Sequence, residues 1–304
     1  MTAPNKAKQA ACPGSVAVSG NRFLSMEVRM AIRRIRTAKP LGVILHRGVS
    51  PYDGSPYVVI MPLRNSKNKK TGSMLQTYIL RADMHPVVAV REEQDGAICF
   101  NCPMRGLVGF PKRTPANAKR NPKRWRACYV NVGQGPAMVY GAYMRGRYVE
   151  YDPIMHDQYI RDRKIRFGTY GEPVLIPLAL VQHLAGLSDG WTGYTHAWSN
   201  LTYAPYKQFF MASVHGLTGP WSREHAKSLG WRTFRTMRGG EPAADEVLCP
   251  ASLEAGHRLS CLTCRLCDGA GVRKIGLAMR DVYIPGHGGK AIMTAVANLP
   301  ILQA

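Results

Sequence analysis

The feature that most constrains this chain is the spacing of the cysteines near its C-terminus. Cys261, Cys264 and Cys267 recur at every third residue, and the more distant Cys249 is followed directly by Pro250. Four thiolates bind either a tetrahedral zinc ion or a four-iron four-sulfur (4Fe-4S) cluster, and a Cys-x2-Cys-x2-Cys run with a distant fourth cysteine favours the cluster. We therefore predict a metal centre in a Cys-rich segment spanning residues 249–304, with zinc as the alternative metal.

A second group of cysteines has only three members. Cys99 and Cys102 lie in ICFNCP, and Cys128 lies in RACYVNVG. Three protein ligands leave one coordination position open, as a reactive centre requires. The alternative is a zinc ion completed by His85 or another side chain. His196, at the end of WTGYTHAW, either faces this site as an acid or ligand or packs as a strand-end histidine.

The chain carries a large positive charge. Its 41 Lys and Arg against 19 Asp and Glu give a net charge of +22, well beyond the roughly 2 to 8 usual for a small soluble domain. Such an excess indicates a polyanionic partner, most commonly nucleic acid, and a cationic protein without one is the alternative. The sequence has no Gly-x4-Gly-Lys-Ser/Thr loop, which argues against an NTPase.

The sequence also indicates the cellular compartment in which the protein is expected. It contains no hydrophobic leader and no run of about 18 apolar residues, so we expect a soluble, cytoplasmic protein with no membrane partner. In a reducing compartment, the eight cysteines are expected to be metal ligands rather than disulfides. Cys12 stands alone and is expected to be a free thiol.

Much of the positive charge lies between Cys102 and Cys128. This stretch, residues 103–127, is called the basic segment below; it contains eight Lys and Arg and no acidic residue. Cations together with an aromatic ring are suited to phosphate contacts and base stacking. The alternative is a solvated loop that binds nothing. The residues predicted to bind nucleic acid are Lys112, Arg113, Lys119, Arg120, Lys123, Arg124, Trp125 and Arg126.

The order of predicted elements indicates an α/β fold. Residues 1–40 form a flexible arm and a basic helix, residues 41–98 an N-terminal β portion with three strands, and residues 99–248 a series of alternating strands and helices. Such alternation predicts a parallel sheet wrapped by helices, open or closed into a partial (β/α) barrel. In folds of this class, ligands bind at the carboxyl ends of the strands.

The motifs resemble those of a known family. Three cysteines that lead into a helix and then a strand ending Tyr170-Gly171-Glu172-Pro173 resemble the order found in radical S-adenosylmethionine enzymes. More closely, the chain resembles an uncharacterised phage family, gene product 88, over about residues 60–270. The stretches that carry this second resemblance are NSKNKKTG, CFNCP, CYVNVGQG, IRFGTYGEP, GYTHAW, CPAS and CLTCRLC.

The resemblance implies a cofactor and a reaction class. Cys99, Cys102 and Cys128 would hold a 4Fe-4S cluster whose open iron takes S-adenosylmethionine, and Gly171, Glu172 and Pro173 would border its amino group. Together with the positive charge, the resemblance favours an iron–sulfur protein of the host cytoplasm that acts on or near nucleic acid, as a radical enzyme that modifies a base or sugar. A non-enzymatic, metal-stapled nucleic-acid-binding protein, acting in phage replication or host takeover, is the alternative.

Overall fold

A computed structural model gives the fold. It describes residues 25, 39–65, 68, 70–105, 126, 128–216, 219–237, 241–256, 259–270 and 280–286. The chain divides into two compact units, Met1–Lys39 and Pro40–Ala304, and almost all described residues belong to the second. The predicted basic helix and residues 106–125 of the basic segment lie outside the described residues.

The first sheet contains six strands and begins with the predicted N-terminal β portion. The second strand runs antiparallel to the first and to the third, and the third pairs in parallel with the fifth. The sheet order is β4-β1-β2-β3-β5-β6. The strands are β1 (Gly42–Val49), β2 (Pro56–Pro62), β3 (Leu75–Arg81), β4 (Val149–Glu150), β5 (Ile165–Tyr170) and β6 (Trp191–Thr192).

The second sheet contains five strands, and every pairing in it is parallel. Its order is β10-β11-β9-β8-β7. Parallel sheets are normally buried on both faces, which fits the fully buried run of the strand that begins at Met211. The strands are β7 (Tyr194–Thr195), β8 (Met211–Val214), β9 (Thr233–Met237), β10 (Glu246–Leu248) and β11 (Asp281–Pro285).

One glycine lies at the junction of the two sheets. Gly193 separates β6, which pairs with β5, from β7, which pairs with β8. A Cβ atom on Gly193 would lie 2.6 Å from Cδ1 of Phe210. The backbone N–H of Gly193 donates to the carbonyl of Cys267 (2.8 Å), and its carbonyl accepts from Met211 (3.0 Å). The junction therefore leaves no room for a side chain at this position.

Short helices connect the strands, and local sequence explains where several begin. Ser222 caps α6 by accepting from the backbone N–H of His225, and Asp152 caps α4 in the same way. Pro136 occupies the first turn of α3, where a missing N–H costs nothing. The helices are α1 (Pro86–Arg91), α2 (Gly96–Cys99), α3 (Gly135–Met144), α4 (Pro153–His156), α5 (Leu178–Leu187), α6 (Arg223–Ser228) and α7 (Cys261–Cys264).

The main hydrophobic core draws on both sheets and on the helices around them. Its largest fully buried side chain is Trp198, which meets Trp221 edge-to-face and donates to the carbonyl of Ser213. A smaller apolar cluster, containing Met211 and Val282, surrounds the C-terminal cysteines. In the part of the chain that the structure describes, no helix is long and apolar enough to cross a membrane.

The α/β fold class predicted from the sequence is confirmed, with two mostly parallel sheets. The three predicted N-terminal strands are β1, β2 and β3, and they share a sheet with the parallel strands. The predicted strand WTGYTHAW is shorter than expected: it breaks at Gly193 and continues as a 3-10 turn over Ala197–Ser199. Strand β11 was not predicted; it lies between β9 and β10.

Candidate metal centres

The three N-terminal cysteines are brought together by backbone hydrogen bonds. Cys99 ends α2, and its carbonyl accepts from the N–H of Cys102 (3.0 Å). The N–H of Cys128 donates to the carbonyl of Met104 (2.8 Å), which returns the chain to the same place after the basic segment. Burial raises the pKa of Cys99 and of Cys128, and Cys102 raises both further. The three thiols, called the first thiol group below, are therefore electrostatic neighbours.

A buried carboxylate lies beside the first thiol group. Glu172, only 4% exposed, follows β5, and its N–H donates to the carbonyl of Ile98 in α2 (2.7 Å). Its carboxylate accepts from the hydroxyl of Thr195 (2.5 Å) and from the backbone N–H of His196 (3.1 Å). The carboxylate of the predicted cofactor-binding turn thus already has hydrogen-bond partners within the protein. These hydrogen bonds hold the ends of β5 and β7 together.

Two histidines complete this region. The Nδ1 atom of His196 lies 3.4 Å from the Glu172 carboxylate, and its Nε2 atom lies 3.0 Å from Nε2 of His215. Burial acts to lower the pKa of His196, but Cys102 and Glu172 outweigh it and raise the value to about 10. Burial, followed by the neighbouring His196, lowers the pKa of His215 to about 3. The two imidazole rings therefore share one hydrogen bond, and their pKa values are shifted in opposite directions.

Two arginines accompany the first thiol group. Arg105 forms a buried ion pair with Asp95 (2.9 Å), next to α2. Arg126 donates to the carbonyl of Val130 (2.9 Å), and its Nε atom has no hydrogen-bond partner among the described residues. The pKa of Arg126 is lowered by burial, but the Cys128 thiol leads the groups that raise it above its usual value. This arginine thus lies beside the thiols.

The four C-terminal cysteines also lie in one region of the fold, in or against the smaller apolar cluster. Cys249 follows β10, and its N–H donates to the carbonyl of Tyr283 in β11 (2.7 Å). Cys261 begins α7 and donates to the carbonyl of Lys70 (2.9 Å), while a capping box between Ser260 and Thr263 fixes the start of this helix. These bonds tie the segment to β11 and to the loop before β3.

The four thiols of this second thiol group, Cys249, Cys261, Cys264 and Cys267, influence one another. Burial raises the pKa of Cys267 well above its usual value, and the other three thiols add to this effect. Burial likewise raises the pKa of Cys249 and Cys264. Four gathered thiols are the donor set of zinc or of a 4Fe-4S cluster, either of which would displace the protons. Among the described residues, no three His, Cys, Asp or Glu side chains are arranged as around a single metal ion.

A buried arginine lies against the second thiol group. Arg166 in β5 donates to the phenol oxygens of Tyr129 (2.7 Å) and Tyr194 (2.5 Å). Burial acts to lower the pKa of Arg166, but the two phenols, Cys261 and Cys267 raise it above its usual value. Tyr129 directly follows Cys128 in the sequence, so this contact also connects the two thiol groups.

The structure gives packing roles to several residues predicted from the motifs. Gly171 has φ +81°, and a Cβ atom there would lie 2.7 Å from Cβ of Ile79, so close packing on β3 requires glycine. Pro173 begins a 3-10 turn. His85 caps α1 and lies edge-on to Tyr140, whereas His196 is close enough to Cys102 for this thiol to raise its pKa.

The sequence analysis predicted both cysteine groups and named His196 as a candidate, but it did not identify His215, Arg166 or Tyr129 as residues of these sites. His215 follows the predicted strand FFMASV directly, as His196 follows its own strand, and this shared position was the available signal. Of the eight residues predicted to bind nucleic acid, only Arg126 is among the described residues, and it lies beside the thiols. The nucleic-acid contacts therefore stay a prediction.

No family model, no curated protein and no solved structure matches the chain.

Proposed function

We propose that the chain is an iron–sulfur protein of the radical S-adenosylmethionine type, built on a partial barrel, that acts on or near nucleic acid. The observation that carries the proposal is the position of the first thiol group. Cys99 and Cys102 lie beside Glu172 and His196, which follow the carboxyl ends of β5 in the first sheet and of β7 in the second. Ligands bind at this edge in α/β folds of this class.

The proposal assigns a role to each residue of the first centre. Cys99, Cys102 and Cys128 would hold a 4Fe-4S cluster, which supplies the electron for reductive cleavage of S-adenosylmethionine when bound. Glu172 would meet the amino group of the cofactor while it also orients His196. His196 is close enough to Cys102 to donate a hydrogen bond to its sulfur.

Charge supports nucleic acid as the polymer on which the protein acts. The chain has a net charge of +22, and the basic segment begins one residue after Cys102 and ends one residue before Cys128. Both ends of the segment are thereby anchored at the first centre. A phosphate backbone bound there would bring bases and sugars close to the site of reaction, and we propose that one of these is modified.

A second candidate function, metal-stapled nucleic-acid binding, is favoured by the proximity of His196 to Cys102. Three cysteines and one histidine form a closed zinc site of a common structural kind. With zinc in both thiol groups, the protein would be a metal-stapled nucleic-acid-binding protein without a radical reaction.

Metal analysis of anaerobically purified protein separates the two functions. We expect iron and sulfide from the parent, the loss of one centre in Cys128→Ser and of the other in Cys264→Ser, and no loss in Cys12→Ser, the matched control. Cys264→Ser should also lower the melting temperature markedly, because the binding energy of a structural metal is folding energy. The reduced parent should cleave S-adenosylmethionine to 5′-deoxyadenosine, and Cys128→Ser should not.

Other results would contradict these functions in different ways. Zinc in both centres would exclude the radical reaction and leave the binding protein. If the iron-loaded parent neither binds nor cleaves S-adenosylmethionine, the radical reaction is likewise excluded and the binding protein is left. Metal content unchanged in Cys264→Ser would show that the second thiol group holds no metal.

A further inference from the structure

Among the described residues, the buried cation beside the second thiol group has no carboxylate partner. Arg166 is 8% exposed. Within the described part of the chain, its hydrogen bonds go to the phenols of Tyr129 and Tyr194, which are neutral groups at ordinary pH. Burying an uncompensated charge is strongly unfavourable, and buried arginines are normally paired with an anion.

The other fully buried arginines among the described residues have such an anion. Arg235 pairs with Glu246, and Arg81 pairs with Asp83 at 2.8 Å. Arg166 differs. Tyr194, whose hydroxyl accepts from Arg166, packs against the apolar cluster that contains Cys249 and Cys264. Besides the two phenols, the ionisable neighbours of Arg166 are the thiols of Cys261 and Cys267. A thiol gives the missing negative charge only after a metal has displaced its proton.

A loaded second thiol group would carry that charge. Four thiolates around one divalent ion leave a net charge of about −2, and an iron–sulfur cluster bound by four thiolates is anionic as well. We propose that Arg166 is the counter-charge of the centre held by Cys249, Cys261, Cys264 and Cys267, and that it strengthens metal binding there. This role rests on the metal sites of the proposed function but does not depend on which metal they hold.

The phenols explain how the guanidinium is held. The hydroxyls of Tyr129 and Tyr194 lie 2.7 Å apart, and both accept from the same terminal nitrogen of Arg166. The guanidinium also lies over the ring of Tyr194, with 5.4 Å between its carbon and the ring centroid. These contacts orient the cation without neutralising it, so its charge remains for the centre.

The test compares zinc affinities in the full-length chain. All variants carry Cys128→Ser, which disables the first thiol group. Each is loaded with Zn²⁺ alone under reducing conditions, and a chelator of known affinity then competes with the protein for the zinc. Arg166→Met should weaken zinc binding roughly ten- to hundredfold, the usual effect of losing a residue that supports a metal ligand. Arg166→Lys, which keeps the charge, should stay within about tenfold of the parent.

Arg163→Met is the matched control. Arg163 precedes β5 by two residues, and its hydrogen bonds go to backbone carbonyls and to Asn65. No thiol contributes to the shift in its pKa, which burial lowers. The control variant should lose thermal stability but keep the zinc affinity of the parent.

A second measurement extends the test to iron. If the centre takes up a cluster, reduction adds a further negative charge, so Arg166→Met should have a more negative midpoint potential than the parent, while Arg163→Met should not. Protein that purifies with zinc alone would contradict the iron–sulfur function, but the zinc competition would still test Arg166.

The proposal would be overturned by equal zinc affinity in Arg166→Met and the parent, or by an equal loss in Arg163→Met. Should Arg166→Met not fold even with zinc, Arg166→Lys decides. An affinity within about tenfold of the parent in that variant supports the role of the charge, and a larger loss contradicts it.

Discussion

At the scale of single residues, Glu172 does more than the motif implies. Its carboxylate accepts hydrogen bonds from Thr195 and from the backbone of His196, while its own N–H bonds to α2. All three contacts are buried or half-buried, so little water competes for them. The residue that the resemblance places at a cofactor therefore also joins two strand ends to the helix that carries Cys99.

We predict that Glu172→Gln lowers the free energy of unfolding and leaves the metal content unchanged. The substitution keeps the shape but removes the charge, so the loss should be about 1.5 to 3 kcal/mol, as for hydrogen bonds to charged groups. Urea unfolding and metal analysis provide the measurements. Glu224→Gln, at an exposed position in α6, should change stability by less than about 0.5 kcal/mol.

The same variant tests the link to S-adenosylmethionine. If Glu172 also holds the cofactor's ammonium group, Glu172→Gln should weaken its binding roughly ten- to a hundredfold, measured by calorimetry on anaerobic protein. Lower stability with unchanged cofactor binding would confine Glu172 to a structural role. Stability equal to that of Glu224→Gln would contradict the structural role itself.

Sequence reasoning at this scale reached the ligands but not their surroundings. The cysteines were found because metal-ligand spacing is a local property, and His196 because it follows a strand. Arg166 and Tyr129 are far apart in sequence, and only the fold brings them together. Read along the chain, Arg166 belongs to the basic stretch RDRKIR and looks like one more solvated cation.

At the scale of elements, predictability followed the length of the buried run. Strands β1, β2 and β3 were predicted because each has seven or eight residues and a buried apolar stretch. The two-residue strand β4 is exposed and offers no periodic signal. The break at Gly193 depends on the approach of Phe210, which is seventeen residues away in the chain and cannot be seen in a local pattern.

The junction between the sheets gives a prediction at this scale. Gly193→Ala should destabilise the fold by about 1 to 3 kcal/mol, because the added Cβ would overlap with Phe210 and the surrounding core is closely packed. Since the N–H of Gly193 holds the carbonyl of Cys267, the variant should also release metal from the second thiol group faster. Denaturant unfolding and chelator-induced release measure the two effects.

Gly186 provides the control. It lies inside α5, and an added Cβ would meet no atom within 4 Å. Gly186→Ala should therefore stabilise the protein by about 0.5 to 1 kcal/mol, since alanine is the better helix former. Equal stability of the two variants would mean that Phe210 moves aside easily and that the junction is not tightly packed.

At the scale of the whole molecule, the two thiol groups are connected. Tyr129 follows Cys128 of the first group, and its hydroxyl accepts from Arg166, which lies beside Cys261 of the second. Arg126 contributes a further guanidinium beside Cys128. Two arginines of the protein, Arg126 and Arg166, are thus placed beside thiols, and nucleic-acid binding by the rest of the basic segment stays a prediction.

The final prediction concerns the charge of the basic segment. Neutralising Lys119, Arg120, Lys123 and Arg124 together with glutamine should weaken nucleic-acid binding and flatten its dependence on salt. Each lost phosphate contact on a duplex removes about 0.9 from the slope of log K against log salt concentration, so the loss of several contacts is readily measured. Binding isotherms at several salt concentrations, with duplex and single-stranded probes, give the slopes.

A control with the same net charge separates location from total charge. Replacing the exposed Arg64, Arg145, Arg147 and Arg161 with glutamine also removes four positive charges. If the basic segment forms the binding surface, this control should keep most of the parent's slope, because long-range attraction between separated charges is screened within about 8 to 10 Å at ordinary salt. Equal slopes for the two variants would show that binding depends on overall charge, and the basic segment would then have no special role.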